Sequence, residues 1–330
     1  VDARGADPVP EHDSSGEFIF LVAEVYRHTG DLALARGMFP RVERAAAYLD
    51  SLRQERLTPD YESGEERVFR GLLPPSISHE GYSAKPMHSY WDDLFAVLGF
   101  REAVFIAEEL GHAEAATRLS AIREEFERDF SASVVAAQRT HAIDFVPGCA
   151  DLGDFYPTST TIALTPVGAG GLLPEGAHAR TIERYWEFFR DRRDGAPWDA
   201  YTPYEIRNVG AFVRLGWRDR AHELLAFFLA DRRPAGWRHW AEVVAREARV
   251  PRFLGDMPHT WVGSDYVRSV LDMFAYVRES DESLVIGAGL PAAWLAGEGV
   301  RIRDLPTPYG PLGYRMRRDG ETIVVEIDAG

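Results

Sequence analysis

Three glutamates, Glu80, Glu205 and Glu242, each stand in a stretch crowded with aromatic residues that runs toward an apolar, helix-like segment. The first stretch, residues 71–93, reads GLLPPSISHEGYSAKPMHSYWDD and holds His79, Glu80, Tyr82, His88, Tyr90, Trp91 and Asp92. A plain connector needs only turn residues and solubility. This one is furnished to meet a polar ligand. The second, PWDAYTPYEIRNVGAF, carries Tyr204, Glu205 and Asn208, and the third places Trp240 and Glu242 ahead of GDMPHTW, with Asp256, His259 and Trp261. Carboxylates set among aromatic rings suit a carbohydrate cleft, since sugar C–H faces stack on rings and hydroxyls pair with carboxylates. Two carboxyl groups held in opposite protonation states would suffice to cleave a glycosidic bond. The plainer reading of most of these aromatics is core packing.

Asp13, Asp92, Asp154, Asp199 and Asp256 all fall where a loop meets a predicted buried helix. Each would either cap its helix or bind a sugar hydroxyl. Glu205 likewise would serve as acid or base, as a ligand to hydroxyls, or as a carboxylate on a helix dipole. His79, His88 and His259 read as hydrogen-bonding residues, because HExxH is absent and HEGYSAKPMH does not put two ligands on one helical face. No metal and no cofactor are expected: neither GxGxxG, GxxxxGK[ST] nor GxSxG occurs, and Cys149 is the only cysteine. A net charge of −15 over 330 residues argues against nucleic acid and anionic membranes as partners. No run approaches the roughly 18–20 apolar residues of a membrane span.

Helical periodicity positions these loops. It predicts helices over residues 16–29, 32–53, 89–110, 113–130, 156–164, 177–192, 203–215, 217–231 and 259–277. Thr29-Gly30 and Gly111-His112 mark two of the ends. Segment 89–110 is apolar on most faces and should be buried, whereas 113–130 is amphipathic and half wet. The same alternation of buried helix, short turn, half-wet helix and long loop recurs along the chain, a structural repeat without a sequence repeat. It implies an all-α double ring whose long loops form the functional face at the N-terminal ends of the inner helices. Residues 283–286, 300–303, 313–317 and 322–327 are short and β-prone, giving a small β appendage at 281–330 after a toroid domain at 1–280.

These segments resemble the six-hairpin glycosidases, especially the glucoamylase-like and glycogen-debranching-like members. HDSSGEFIFLVAEVYRHTGD looks like one of that family's inner helices, with His12 and Asp13 at its start. SISHEGYSAKPMHSYWDDLFAVLGF is similar to the loop that holds the family's general acid, which the resemblance puts at Glu80. HWAEVVAREARVPRFLGDMPHTWVGSDYVRSVLDMFAY is similar to the later segment that carries the general base, which becomes Glu242, with Glu205 as the alternate. The resemblance implies an (α/α)6 toroid and an inverting glycoside hydrolase, with carboxyl groups roughly 6.5–9.5 Å apart. It also implies that His12, Asp13, His79, Tyr82, Trp91, Asp92, Tyr156, Tyr204, Glu205, Asn208, Trp240, Asp256, His259 and Trp261 contact the sugar. Glu80 would keep its proton beside Tyr82, Tyr90 and Trp91, and Glu242 would stay ionised beside Arg238 and His239.

A six-hairpin ring needs twelve helices, so the first three would lie upstream of Val1, in the same chain or a partner that completes the ring. The chain starts without methionine, as a processed or cut piece of a longer protein would. A periplasmic or secreted bacterial protein is the favoured setting. Two rivals remain open: a polysaccharide lyase on a helical toroid, with Tyr or His as base, and a carbohydrate-binding toroid without catalysis.

Overall fold

Thr29-Gly30 ends the first helix as its sequence predicts. In the computed structural model, which describes residues 11–78, 81, 82, 84–250 and 254–328, helix α1 runs Ser14–Thr29 and Gly30 takes the left-handed conformation (φ 66°) that only glycine adopts without strain. Its amide closes on the Tyr26 carbonyl at 2.8 Å. The Asp31 carboxylate then caps α2 (Leu32–Gln54) by accepting from the Leu34 amide at 2.9 Å.

Helix α3 (Tyr90–Glu109) buries sixteen of its twenty residues, as its all-round apolarity requires. It packs against α1, α2 and α4. The approach to α1 is set by glycine: a Cβ on Gly16 would lie 2.1 Å from the Phe95 carbonyl oxygen, and one on Gly99 2.8 Å from Gly16 Cα. Helix α4 (Ala113–His141) runs on past the predicted end at 130. Phe126, Phe130, Ser133, Val134 and Ala137 keep one buried stripe at helical spacing, and no Gly or Pro interrupts it before Pro147. After a four-residue turn of helix, α5 (Pro157–Thr160), and a 3-10 turn at Thr161–Ala163, helix α6 covers Ala177–Arg193.

Contacts divide the chain into residues up to 181 with 307–309, and residues 182–306 with 310–330. In the second unit a two-residue strand, β1 (Ala200–Tyr201), leads through a 3-10 turn at Pro203–Ile206 into α7 (Arg207–Arg214), followed by α8 (Arg218–Ala230). Strand β2 (Val244–Ala245) pairs antiparallel with β1, Tyr201 opposite Val244. Helix α9 (Thr260–Phe274) packs on α7. It stops before the predicted 277, because Ala275 turns extended and β3 (Ala275–Arg278) pairs with β4 (Ser283–Ile286). Strands β5 (Val300–Thr307), β6 (Gly310–Asp319) and β7 (Thr322–Asp328) form a sheet in that order. Leu290, Leu295, Tyr314 and Met316 make its buried cluster, and Tyr314 Oη donates to the Phe274 carbonyl at 2.7 Å.

The expected all-α toroid class is therefore corrected. The structure is 54% helical and 13% strand, with three small antiparallel sheets among the described residues, a mixed α/β fold. The strands arise where β-branched and aromatic residues meet a partner that periodicity along one segment does not reveal. Among the described residues, no helix is long and apolar enough to cross a membrane.

Candidate functional site

In the first unit the loop before α3 is tied down at both ends. Ser76 and Met87 exchange two backbone hydrogen bonds of 2.9 Å, and the Tyr82 amide donates to the Ile77 carbonyl at 2.7 Å. The Asp93 carboxylate accepts from the Leu73 amide at 3.0 Å. Farther along, the Tyr90 amide donates to Gly148 O and the Ala150 amide to His88 O, both at 3.0 Å. Glu80 and His79, the proposed acid and its neighbour, lie outside the described residues.

Around this frame the structure brings together His12, Asp13, Trp91 and Asp92. The Trp91 indole donates to Asp13 Oδ2 at 2.8 Å, across 78 positions of sequence. Ser76 Oγ donates to Asp92 Oδ2, and the Ser78 amide donates to Ser76 Oγ at 2.9 Å. Burial, reinforced by the neighbouring Asp13, pushes the Asp92 carboxyl well above the usual carboxylate range. Burial pushes His12 the other way, down to about 4; Asp13 opposes that shift and Arg56 adds to it. His12 is thus a neutral imidazole. Its Nδ1, Asp92 Oδ1 and Ser78 Oγ are buried without a hydrogen-bond partner among the described residues.

Tyr82 and Tyr156 also meet, with ring centroids 6.4 Å apart. Tyr82 Oη donates to Asp154 Oδ2 at 3.0 Å, while Asp154 Oδ1 accepts from the Cys149 amide at 3.1 Å. Burial raises the Tyr82 phenol, and Asp154 adds to the shift, so Tyr82 stays a donor. The Cys149 thiol, raised by burial to about 12, is not a nucleophile at neutral pH.

In the second unit Glu205 and Glu242 have opposite settings. Glu205 is buried and gripped: Arg192 donates to its two oxygens at 2.8 and 2.6 Å, and Tyr185 Oη donates at 2.8 Å. Asn208, fully buried, donates to the Glu205 backbone carbonyl at 3.2 Å and so serves the same turn. Three of the roughly four acceptor positions of the Glu205 carboxylate are thus filled from within the protein, a setting that suits a brace.

Glu242 is half-buried at the mouth of a hairpin. Its amide donates to Asp256 O at 3.0 Å, the Asp256 amide returns to Glu242 Oε2 at 3.2 Å, and Thr202 Oγ1 holds the Glu242 carbonyl at 2.8 Å. Gly255 makes this fit, because a Cβ there would stand 2.7 Å from Glu242 Oε2. The expected cationic partners Arg238 and His239 are exposed instead, and the carboxylate leans on the Asp256 amide. Aromatic residues of the neighbouring segments are tied to one another. The His259 amide donates to Trp240 O at 2.8 Å, Tyr204 Oη meets His259 Nε2 at 3.2 Å, and Trp261 packs edge-on to Tyr204 with centroids 6.0 Å apart. Asp256 is exposed beside them.

Neither a protein-family model nor a curated protein sequence matches the chain. Its chemistry therefore rests on these side chains.

Sequence reading missed several residues that shape the two clusters: Ser76 and Ser78, Asp151 on His88 Nδ1 at 3.2 Å, Thr202, and the Arg192–Tyr185 grip on Glu205. Asp154 carried a signal as one of the five loop-to-helix aspartates; Arg192 carried none. Among the described residues no group of three or more His, Cys, Asp or Glu side chains could hold a metal ion. A groove of about 1020 Å3 runs along α4 and is lined by none of the candidate residues.

Proposed function

We propose that the chain is a glycoside hydrolase, with Glu242 as general base and Glu80, assigned from sequence, as general acid. The observation that carries this reading is the setting of Glu242. It is half-buried, makes no ion pair among the described residues, and is oriented by the Asp256 backbone amide, on a segment whose Trp240 carbonyl accepts from the His259 amide. A carboxylate so placed is ready to take a proton from water. The buried, grip-locked Glu205 is not.

In the proposed reaction the acid gives its proton to the glycosidic oxygen as the C1–O bond breaks. Water adds to C1 from the opposite face and passes its proton to Glu242, which inverts the anomeric centre. The similarity of the loops around Glu80 and Glu242 to those of glucoamylase-like enzymes supports the same assignment.

The test is a panel of oligosaccharides and aryl glycosides with the product anomer followed by NMR, run on the parent chain and on Glu242→Gln and Glu80→Gln. Hydrolysis with inversion, lowered about 100- to 10,000-fold by either substitution, is expected. Unsaturated products absorbing near 235 nm, or variants as active as the parent, would replace this reading with elimination or with other catalytic groups.

A further inference from the structure

The groove of about 1020 Å3 along α4 lies within the first unit and has no part in the reaction proposed above. Its floor is one stripe of the helix. Arg128, Ser131, Ala132, Val135, Ala136 and Arg139 recur there at helical spacing, beside the buried stripe that holds Phe126, Phe130 and Val134. Arg67, from a 3-10 turn at Glu65–Phe69, and Leu172, from one at Ala169–Leu172, add to the lining, and both turns pack on α4.

The charge of this groove is opposite to that of the chain. With 52 Asp and Glu against 37 Lys and Arg, an arginine here easily finds a carboxylate, as Arg27, Arg53, Arg70 and Arg101 do in this unit. Arg67, Arg128 and Arg139 do not. They are exposed and make no side-chain hydrogen bond or ion pair among the described residues. The two acids of the lining are matched already: Glu127 accepts from Arg101 Nε at 2.6 Å, and Glu124 lies 3.6 Å from Arg123. Three guanidinium groups are therefore left to face an incoming ligand, on a protein whose net charge is −15.

The lining selects among anions. No aromatic ring lines the groove, so neither a sugar nor a nucleobase has a surface to stack on. Arg128 and Arg139 are eleven residues apart on α4, ~16 Å along its axis at 1.5 Å per residue. A compact ion engages one end of such a groove, whereas a chain with several carboxylates engages both ends and Arg67 as well. Glutamate stems can lie on Ala132, Val135, Ala136 and Leu172 while their carboxylates pair with the guanidinium groups, and Ser131 and Thr140 offer hydroxyls to a peptide backbone. We propose that the α4 groove binds an acidic peptide segment of a partner protein, held by Arg67, Arg128 and Arg139. This site is independent of the hydrolase reading, since none of its residues is assigned to the reaction.

The probe is octaglutamate, fluorescently labelled and titrated with the full chain at neutral pH, with octaglutamine as the uncharged control and anisotropy as the readout. Octaglutamate should bind saturably at about 20 mM NaCl and weaken as salt is raised through about 150 mM, where the screening length falls to about 8 Å. Octaglutamine should not bind. Arg67→Gln, Arg128→Gln and Arg139→Gln should each weaken binding roughly two- to fivefold, the range of an exposed ion pair, and the three together about tenfold or more. A second triple variant, Arg36→Gln with Arg41→Gln and Arg44→Gln, removes the same charge from exposed positions of α2 that lie outside the groove, and should keep the parental affinity within about twofold. All six side chains are exposed, and circular dichroism melts check that both triples stay folded. No saturable binding of octaglutamate, or equal binding of octaglutamine, would overturn the proposal. Equal losses in the two triples would overturn it in favour of diffuse surface attraction, and full displacement by equimolar phosphate or citrate in favour of a site for free anions.

Discussion

Replacing Glu205 with Gln separates a brace from a catalyst. The Arg192 and Glu205 side chains are 3% and 6% exposed, so water screens their attraction very little. Glutamine keeps the shape but removes the charge, and its amide nitrogen turns a donor toward either Arg192 or Tyr185, both of which are donors here. Removing one member of a buried pair destabilises by about 3–5 kcal/mol, because the surviving charge stays desolvated without its counterion. Arg192 keeps a second contact, lying 4.5 Å over the Tyr201 ring, which puts the expected loss near the lower end of that range. At about 2–4 °C per kcal/mol, the thermal midpoint should fall by roughly 6–12 °C. Circular dichroism melts measure that shift, and assays well below the midpoint measure turnover per folded molecule. Turnover in Glu205→Gln should stay at least tenfold above that of Glu242→Gln. A combined Tyr185→Phe, Arg192→Met, Glu205→Leu variant should recover most of the lost stability, since apolar replacement of a whole buried pair is close to neutral. An unchanged midpoint with abolished turnover would refute the bracing argument and return Glu205 to the chemistry.

The remaining expectations concern close contacts and a buried acid. Asp93, pushed up to about 8 by burial against the Leu73 amide that favours its charged form, has a folded pKa above its unfolded one. Its contribution to stability is present below the ordinary carboxylate range and is lost as pH rises through about 8. Asp93→Asn should therefore gain on the parent by about 1.4 kcal/mol per pH unit between roughly pH 4 and 8, then level off; equal urea midpoints for the two proteins at pH 5 and pH 8 would defeat this. Gly16→Ala drives a methyl into the Phe95 carbonyl and should destabilise by about 1–3 kcal/mol or more, read as a lower thermal midpoint. Gly255→Ala meets Glu242 Oε2 and the Val243 amide nitrogen, 2.9 Å from the added carbon, so it should lower kcat more than it lowers the midpoint. Parental kcat in that variant would show that the hairpin does not set the Glu242 carboxylate.

The end of α1 and the burial of α3 were legible because their causes are local, whereas α4 ran to 141 rather than the expected 130. The Thr29-Gly30 stop and the apolar circumference of α3 are both properties of a few neighbouring letters. Other errors came where a distant partner decides. Ala275–Arg278 continues the pattern of α9 on paper, yet Ser283–Ile286 folds back on it and offers a ladder that the helix cannot match. Strands β1 and β2 are two residues each and exist because residues 199–201 meet 244–246. The aromatic loops were visible as unusual, but the duties of their acids were not. Glu205 and Glu242 both follow aromatic residues and precede apolar helices; one is bound by a guanidinium from α6, thirteen positions upstream, and the other by an amide fourteen positions downstream. A carboxylate beside a guanidinium and one beside an amide differ in what they can still accept, and chemistry depends on that remainder. Loop composition could therefore find where acids gather, whereas the tertiary partner of each acid determines which of them is left able to take a proton.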